Sequence, residues 1–427
     1  MQPHECNGCS EYKDLSRRQF ISGSTTMAIA GLTAPAWLPR VAYADEFRSN
    51  RDVIVSIFLR GGSDGLTMCV PHGENAYYNI RNEIAVPQPD SGSPNAATDL
   101  DGFFGLAPAM AALAPAFSAG DLAFVHACGM RDASRSHFDA QRWVEVGEAD
   151  NPSLFTGWLG RHLLSSPPIQ TNSLVRALSL GFAVPRTLVG GPQTLPVPDP
   201  ANYNLAGRPA SLDDRMSYLT DQFAQVGDPV AAAAGNVEAT IDLLGAIDFE
   251  NYTPGNGAVY EDSEFGRALR ASAALIRADV GVEAISIDLG GWDTHERQQP
   301  FDGAMFGLMQ TFANNMAAFH ADVGSGDAAV TTVAVSEFGR TAAQNGSLGT
   351  DHGFGNAMIA MGPNINGGQV LTQWPGMNPG QLFENRDLEI TIDYRDILAE
   401  IVQNRLGNND LAAVFPGYTP VMQGITA

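Results

Sequence analysis

Four runs of mostly apolar residues recur at wide intervals along the chain, and each run stops at glycine or at a polar cluster. They cover residues 53–59, 122–125, 284–289 and 331–335 and are rich in valine, isoleucine and alanine. Such runs are typical of short strands that are buried on both faces of a sheet. The pattern therefore predicts a sheet that is covered on both sides.

Apolar residues between the later strands recur at helical spacing instead. One stripe runs through residues 265–276 in a predicted helix that ends at Gly281, and a second runs through residues 305–319. Both stripes are interpreted as core packing, and the neighbouring His320 as a surface or hydrogen-bonded histidine. Strands separated by helices predict a mainly parallel sheet with right-handed crossovers and flanking helices.

Two stretches have a less regular pattern. Residues 86–120 are rich in proline, alanine and glycine, and they predict a loop that leads into a helix after Pro108. Residues 163–260 combine proline-rich turns, a strand at 178–180 and two alanine-rich helices. We interpret this second stretch as an inserted cap or subdomain.

The first 44 residues have the pattern of an export signal. A Ser-Arg-Arg-Gln-Phe-Ile string at 16–21 precedes a weakly apolar stretch and an Ala-Tyr-Ala cleavage site at 42–44. This order predicts a twin-arginine signal at 1–44, a single mature domain at 45–427, and a periplasmic or extracellular location. No later stretch approaches about 18 uninterrupted apolar residues, so no membrane span is expected after signal removal.

Composition and charge remove several classes of chemistry. The 427 residues include 24 basic and 47 acidic ones, a net charge of -23, and the only lysine is Lys13 in the predicted signal. The mature chain therefore has no lysine for a Schiff base or a phosphate-binding loop. The acidity argues against nucleic acid as a partner, because phosphates would be repelled. For Cys69 and Cys128, a disulfide and two buried thiols both remain open.

Polar residues follow each predicted strand at its carboxyl end, where open α/β sheets bind ligands. Carboxylates and imidazoles without any lysine indicate a divalent metal ion, and zinc, manganese, calcium and magnesium all remain open. Such an ion could polarise an ester. The residues concerned are Asp64, Ser136, Asp293, His295, Glu337, Arg340, Asp351 and His352.

The motifs at these strand ends resemble the twin-arginine-exported family called domain of unknown function 1501. That family is grouped with the alkaline phosphatase and sulfatase superfamily, and its own activity is not established. The resemblance implies an alkaline phosphatase/sulfatase-like α/β sandwich with metals at the carboxyl ends of the strands. The strings are Phe-Leu-Arg-Gly-Gly-Ser-Asp-Gly-Leu at 58–66, Ser-His-Phe-Asp-Ala-Gln at 136–141, Gly-Gly-Trp-Asp-Thr-His at 290–295, Ser-Glu-Phe-Gly-Arg-Thr at 336–341, Gly-Thr-Asp-His-Gly at 349–353 and Asp-Tyr-Arg-Asp at 393–396.

The resemblance also implies metal ligands, but with one histidine missing. Either Glu337-Phe338 or Asp351-His352 stands where the superfamily has an Asp-His pair, and neither alignment supplies every histidine. The pattern favours a one-metal site or a non-catalytic descendant over a two-metal phosphatase. The implied ligands are Asp64, Asp293, His295, Glu337, Asp351 and His352.

The remaining implied roles concern catalysis and anion binding. Ser136 takes the place of the superfamily's nucleophile, and the alternative is an ordinary helix N-cap. Arg340, Arg135 and Arg60 would hold phosphate or sulfate oxygens in a bidentate way, and the alternative is pairing with nearby carboxylates.

Three functions follow from these residues. The favoured one is a metal-dependent hydrolase of phosphate, sulfate or related esters, with a small anionic ester or a polysaccharide-type substrate. The second is a non-catalytic binding or scaffold protein on the same fold with an exported protein partner. The third is a serine hydrolase that uses Ser63, because residues 61–65 match Gly-x-Ser-x-Gly after a strand.

Overall fold

The computed structural model describes residues 51–171, 173–205, 207–224, 230–324, 326 and 328–427. The predicted twin-arginine signal and its cleavage site at 42–44 lie outside these residues. Within the described ranges, no helix is both long enough and apolar enough to cross a membrane.

The strands of the described residues include all four that the apolar runs predict. In chain order they are β1 (Val53–Arg60), β2 (Cys69–Val70), β3 (Thr98–Asp99), β4 (Gly105–Leu106), β5 (Leu122–Gly129), β6 (Ala177–Ser179), β7 (Thr194–Pro196), β8 (Ala284–Gly290), β9 (Val330–Val335), β10 (Asn356–Met361), β11 (Gln369–Leu371) and β12 (Ile392–Asp393).

The helices of the described residues include both that the apolar stripes predict. In chain order they are α1 (Gly65–Met68), α2 (Asn75–Ile80), α3 (Ala114–Ala119), α4 (His137–Val146), α5 (Trp158–Ser165), α6 (Leu212–Ala224), α7 (Val230–Gly245), α8 (Glu264–Arg277), α9 (Ala304–Val323), α10 (Tyr394–Asn404) and α11 (Leu411–Val414).

The central sheet of the described chain has nine strands in the order β11-β5-β10-β9-β1-β8-β6-β7, with β12 beside β5. β1 is parallel to both β8 and β9, and β6 is parallel to β8 and β7. β10 is antiparallel to both of its neighbours, β5 and β9. The fold is therefore a mixed α/β fold with a mainly parallel central sheet, as predicted.

Two hydrophobic clusters lie on opposite faces of this sheet. Alternate residues of β1 separate into them, with Val55 and Ile57 in one and Ile54 and Phe58 in the other. Side chains of α8 and α9 complete the first cluster, and side chains of α5 and α10 complete the second. Burial on both faces explains why β1 reads as an almost continuous apolar run.

The region predicted as an insertion at 163–260 is divided by the structure. β6 and β7 belong to the central sheet, whereas residues 205–240 cluster as part of a separate compact unit. The separately clustered part is therefore shorter than the predicted insertion. β6 overlaps the strand predicted at 178–180. β7 was not predicted, because its three residues are too few for a strand pattern to stand out from proline-rich surroundings.

The two cysteines of the predicted mature chain are buried free thiols. Burial raises the pKa of both thiols well above the ordinary value. Of the two alternatives that the sequence left open, the structure contains the unpaired thiols.

Candidate metal centre

Three neighbouring strands deliver the candidate residues to one edge of the sheet. Arg60 at the end of β1 pairs with Gly290 of β8, and Phe58 of β1 pairs with Val335 of β9. The chain continues from β8 to Asp293 and from β9 to residue 337. These segments start side by side because parallel strands end at the same edge.

Two glycines let the chain leave β1 close to those segments. Gly61 and Gly62 have φ angles of +119° and +71°, and a Cβ on Gly61 would lie 2.7 Å from the backbone nitrogen of Asp293. A side chain at either position would be strained, so glycine is required there. The amide of Gly61 donates to Oε1 of Glu337 at 2.8 Å, which ties the turn to the site.

Three imidazoles gather around the carboxylate of Asp293. Nε2 of His295 and Nε2 of His352 lie 3.0 Å and 3.1 Å from its Oδ1, and Nε2 of His137 lies 3.5 Å from its Oδ2. The Nε2 atoms of His295 and His352 are 2.9 Å apart. One ligand atom from each of His137, Asp293 and His352 lies within 4.8 Å of the other two. We call His137, Asp293, His295 and His352 the histidine cluster.

Two carboxylates accept hydrogen bonds from the Nδ1 atoms of two of these rings. Nδ1 of His137 lies 2.8 Å from Oε1 of Glu337, and Nδ1 of His295 lies 3.0 Å from Oδ1 of Asp351. Burial raises the pKa of Glu337, but hydrogen bonds from Gln141 and other donors lower it below the ordinary value. The hydrogen bond from His295 lowers the pKa of Asp351. Both carboxylates are therefore ionised acceptors, and each Nδ1 must donate.

The third ring is held by a backbone carbonyl. Nδ1 of His352 lies 2.8 Å from the carbonyl oxygen of Arg135, and a carbonyl oxygen only accepts. Burial lowers the pKa of His352, which favours the neutral ring with its lone pair on Nε2. With each Nδ1 held by an acceptor, Nε2 of all three rings faces Asp293.

This arrangement fits a divalent transition-metal ion. Nε2 of His137 is a buried atom without a hydrogen-bond partner in the described chain. The facing Nε2 atoms of His295 and His352 would repel each other unless a proton or a cation lies near both. Imidazole nitrogens next to a carboxylate, each ring held through its other nitrogen, form a typical zinc-type donor set.

Arg340 positions the carboxylate of Asp293. Its side chain is fully buried, and Nη2 lies 2.7 Å from Oδ1 of Asp293. Burial raises the pKa of Asp293, but Arg340 and the imidazoles outweigh it and lower the pKa to about 2. Arg340 is therefore not free to hold a substrate oxyanion, the role that the resemblance implies. Its guanidinium also donates to the carbonyl oxygens of Gly61, Gly62, Trp292 and Thr350.

One face of α4 links the cluster to the end of β1. His137, Gln141 and Glu145 are spaced four residues apart and lie on the same face of the helix. Nε2 of Gln141 donates to Oε1 of Glu337 at 2.9 Å, and Oε1 of Gln141 accepts from Arg60 at 3.4 Å. The sequence motifs assign no role to His137, although the spacing of this polar face and the histidine missing from the expected ligand set both point to it.

Ser136 and Arg135 precede α4 and differ in their contacts. Ser136 occupies the N-cap position, but its side chain makes no capping hydrogen bond. Arg135 pairs with Asp387 at 2.5 Å and with Glu384 at 2.7 Å, which is the carboxylate pairing that the sequence left as an alternative. A nucleophilic role for Ser136 stays a prediction.

Asp64 has an arginine as its partner rather than an imidazole. Its Oδ2 accepts from Arg81 at 2.6 Å, from Thr67 at 2.8 Å and from Gln298 at 2.6 Å. Both Asp64 and Arg81 are buried. Burial raises the pKa of Asp64, but Arg81 and the other donors outweigh it and lower the pKa. We call these four residues the Asp64 network, and Arg81 supplies the charge that was expected from a metal.

Phe338 replaces an expected histidine in one of the two alignments that the sequence resemblance left open. Its ring centroid lies 4.9 Å from that of His137 and 4.8 Å from that of His352. The phenylalanine therefore forms an apolar wall against two of the imidazoles and does not itself offer a ligand.

Ser63 gives no support to a serine hydrolase. Its side chain is fully buried, and its hydroxyl accepts from Nδ2 of Asn356 at 3.2 Å. A nucleophile must be reachable by the substrate, and this hydroxyl is enclosed.

Comparison with known proteins finds a partial match to a family of unknown function. The model of the family described as "Protein of unknown function (DUF1501)" matches residues 233–413. The match supports the family resemblance seen in the motifs, and it includes Asp293, His295 and His352 but begins after His137. No curated protein matches the chain.

Proposed function

We propose that this chain binds one divalent transition-metal ion in the histidine cluster and hydrolyses phosphate, sulfate or related esters. The orientation of the imidazoles carries the proposal, because each Nδ1 lies against a fixed acceptor and each Nε2 faces Asp293. Nitrogen donors favour zinc or manganese over calcium and magnesium. An ion-pair network by itself would give Nε2 of His137 a hydrogen-bond partner, whereas within the described residues this buried atom has none.

In this proposal His137, Asp293 and His352 hold the ion. Their side chains are 26%, 46% and 22% exposed, so the cluster faces solvent on one side. Closed four-ligand sites are typical of structural zinc, whereas catalytic sites leave a position for water or substrate. When bound, the ion would polarise the ester and lower the pKa of a water molecule.

His295 is the proposed proton acceptor. Its side chain is 39% exposed, and Asp351 holds Nδ1 so that the Nε2 lone pair points into the cluster. Asp351 would stabilise the imidazolium that forms when Nε2 takes a proton from the attacking water. Nδ2 of Asn345 donates to the same Oδ1 of Asp351 at 3.2 Å and keeps the carboxylate in place.

Metal content and ester hydrolysis of the full chain test these roles. We expect about one equivalent of zinc or manganese in the wild type, and loss of both metal and hydrolysis in His137→Ala. His295→Ala should retain the metal but lose about 10²- to 10⁴-fold in kcat for aryl phosphate or aryl sulfate. His320→Ala is the matched control, because His320 on α9 also pairs with an aspartate, Asp121, at 3.1 Å.

Three results would contradict parts of the proposal. Failure of the wild type to bind either metal after reloading excludes the metal site. Metal binding without turnover of any ester favours the non-catalytic binding protein instead. Inhibition by a serine-acylating fluorophosphonate, with no effect of a chelator, favours the serine hydrolase.

We also propose export through the twin-arginine pathway. The arginine pair at 17 and 18 and the Ala-Tyr-Ala site at 42–44 support it. Replacement of both arginines by lysine should keep the protein in the cytoplasm with its signal uncleaved, as cell fractionation and mass spectrometry would show. Unchanged export of that variant would contradict the assignment.

A further inference from the structure

A cavity of about 350 Å³ lies beside the carboxyl ends of β6 and β8. Ligand pockets in proteins usually measure about 300–1,000 Å³, so this cavity suits a ligand of one or two rings. The residues that matter for its chemistry are Arg60, Ser179, Phe182, Arg186, Ser286 and Asp288.

The two arginines of the cavity differ in their partners. Arg60 lies 2.7 Å from Asp288 and 3.1 Å from Glu145, so its charge is used by two carboxylates. The guanidinium of Arg186 has no hydrogen bond or ion pair within the described residues. Arg186 is therefore the cation that can bind an anionic group of a ligand.

The other lining groups suit a ring that carries hydroxyl groups. Arg60 occupies only Oδ2 of Asp288, whose side chain is 46% exposed, so Oδ1 can accept from a ligand. The hydroxyl of Ser286 lines the same wall, and that of Ser179 donates to the carbonyl oxygen of Ala183. Phe182 is 94% exposed, and the negative face of its ring can pack against the CH groups of a sugar.

The charges around the cavity restrict the chemical class of the ligand further. Two arginines and two carboxylates, Glu145 and Asp288, line the cavity, so their formal charges cancel. A bare dianion would meet these carboxylates, whereas a hydroxyl-bearing ring with one anionic group would satisfy both Arg186 and Asp288.

We propose that this cavity binds an acidic saccharide unit, with its carboxylate or sulfate on Arg186 and its ring against Phe182. Gln141 contacts both Arg60 and Glu337, and Glu337 contacts His137. Two side chains, Gln141 and Glu337, therefore connect the cavity to the histidine cluster. Any reaction of the bound saccharide rests on the proposed hydrolase function. Binding of the saccharide to the cavity can be measured whether or not the chain is a hydrolase.

Calorimetric titration of the metal-free full chain with glucuronate, glucose 6-sulfate and glucose tests the proposal. At least one acidic sugar should bind about tenfold or more tightly than glucose, because a hydrogen bond to a charged group is lost with the neutral sugar. Whichever acidic sugar binds more tightly identifies the anionic group. Arg186→Gln should reduce its affinity to that of glucose, and Arg186→Lys should restore part of it.

Two controls separate this proposal from the metal site. Arg267→Gln removes one exposed arginine that pairs with exposed Asp262, and it should leave the affinity unchanged. His137→Ala should also leave it unchanged, even if the chain proves to bind no metal.

Several outcomes would overturn the proposal. They are equal affinity for glucose and both acidic sugars, no binding of either acidic sugar, unchanged affinity in Arg186→Gln, and binding that appears only with zinc and disappears in His137→Ala. The last outcome would place the sugar acid on the metal centre instead of in the cavity.

Discussion

The histidine cluster and the Asp64 network both surround an aspartate that follows a strand of the same sheet, yet their chemistry is opposite. All three neighbours of Asp64 donate hydrogen bonds to it, and Arg81 neutralises its charge in the interior. Asp293 also has an arginine, but three imidazoles turn their Nε2 atoms toward it and it is 46% exposed. The first arrangement contains its own buried counter-charge, although Oδ1 of Asp64 has no hydrogen-bond partner within the described residues. The second places ring nitrogens around a partly exposed carboxylate, where they can bind a cation.

Removal of one charge from the Asp64 network should have the largest effect. Asp64→Ala leaves Arg81 buried without a counter-charge, and we expect the free energy of unfolding to fall by about 3–5 kcal/mol in urea titrations. Metal affinity should not change. Exposed Asp262→Ala, which breaks the pair with Arg267, should cost less than about 1 kcal/mol.

The double variant Asp64→Leu/Arg81→Met sharpens this test. Replacement of both charges by apolar side chains should recover most of the lost stability, because no unpaired charge is then buried. A loss of stability below about 1 kcal/mol in Asp64→Ala would contradict the buried ion pair of Asp64 and Arg81. Loss of the metal in that variant would show that the Asp64 network contributes to the metal site.

A change in the carboxylate behind His137 should have the next largest effect. Glu337→Gln replaces the charged acceptor of Nδ1 by a neutral amide, and we expect metal affinity to fall about 10- to 100-fold in competition with a chromophoric chelator. Glu384→Gln is the control, because Glu384 is an exposed partner of Arg135. Equal affinities of the wild type and Glu337→Gln would mean that Glu337 does not support a metal ligand.

The smallest effect concerns the pH dependence of the metal-free protein. The pKa of Asp293 is lowered to about 2 from an ordinary value near 3.8. Its ionised form therefore stabilises the folded state above about pH 4, and this contribution disappears as the pH falls toward 2. Asp293→Asn should be less stable than the wild type above pH 4 and equally stable near pH 2 in urea titrations with a chelator present. A difference that stays constant from pH 5 to 2 would contradict the role of this charge.

Local patterns were sufficient for much of the fold. The four apolar runs became β1, β5, β8 and β9, and the two apolar stripes became α8 and α9. Hydrophobic periodicity records how each segment is buried, and it needs no knowledge of distant partners. The antiparallel direction of β10 could not be obtained in this way, because strand direction depends on how the connections run through space.

The candidate site was predictable only as a set of residue types. The motifs pointed to Asp293, His295 and His352, which the structure brings together. They also pointed to Asp64, which the structure pairs with Arg81, and they gave no role to His137. An aspartate after a strand has the same local sequence appearance whether its neighbour is a guanidinium or an imidazole.

The sequence by itself determined that carboxylates and histidines stand at the ends of buried strands and that no lysine of the predicted mature chain can supply positive charge there. The tertiary structure alone decided which atoms face one another. His137 meets Glu337 across 200 residues of sequence, and His352 meets the carbonyl of Arg135 across 217. A ring nitrogen becomes a donor or a lone pair according to the partner of the other nitrogen, and in this protein those partners come from distant segments.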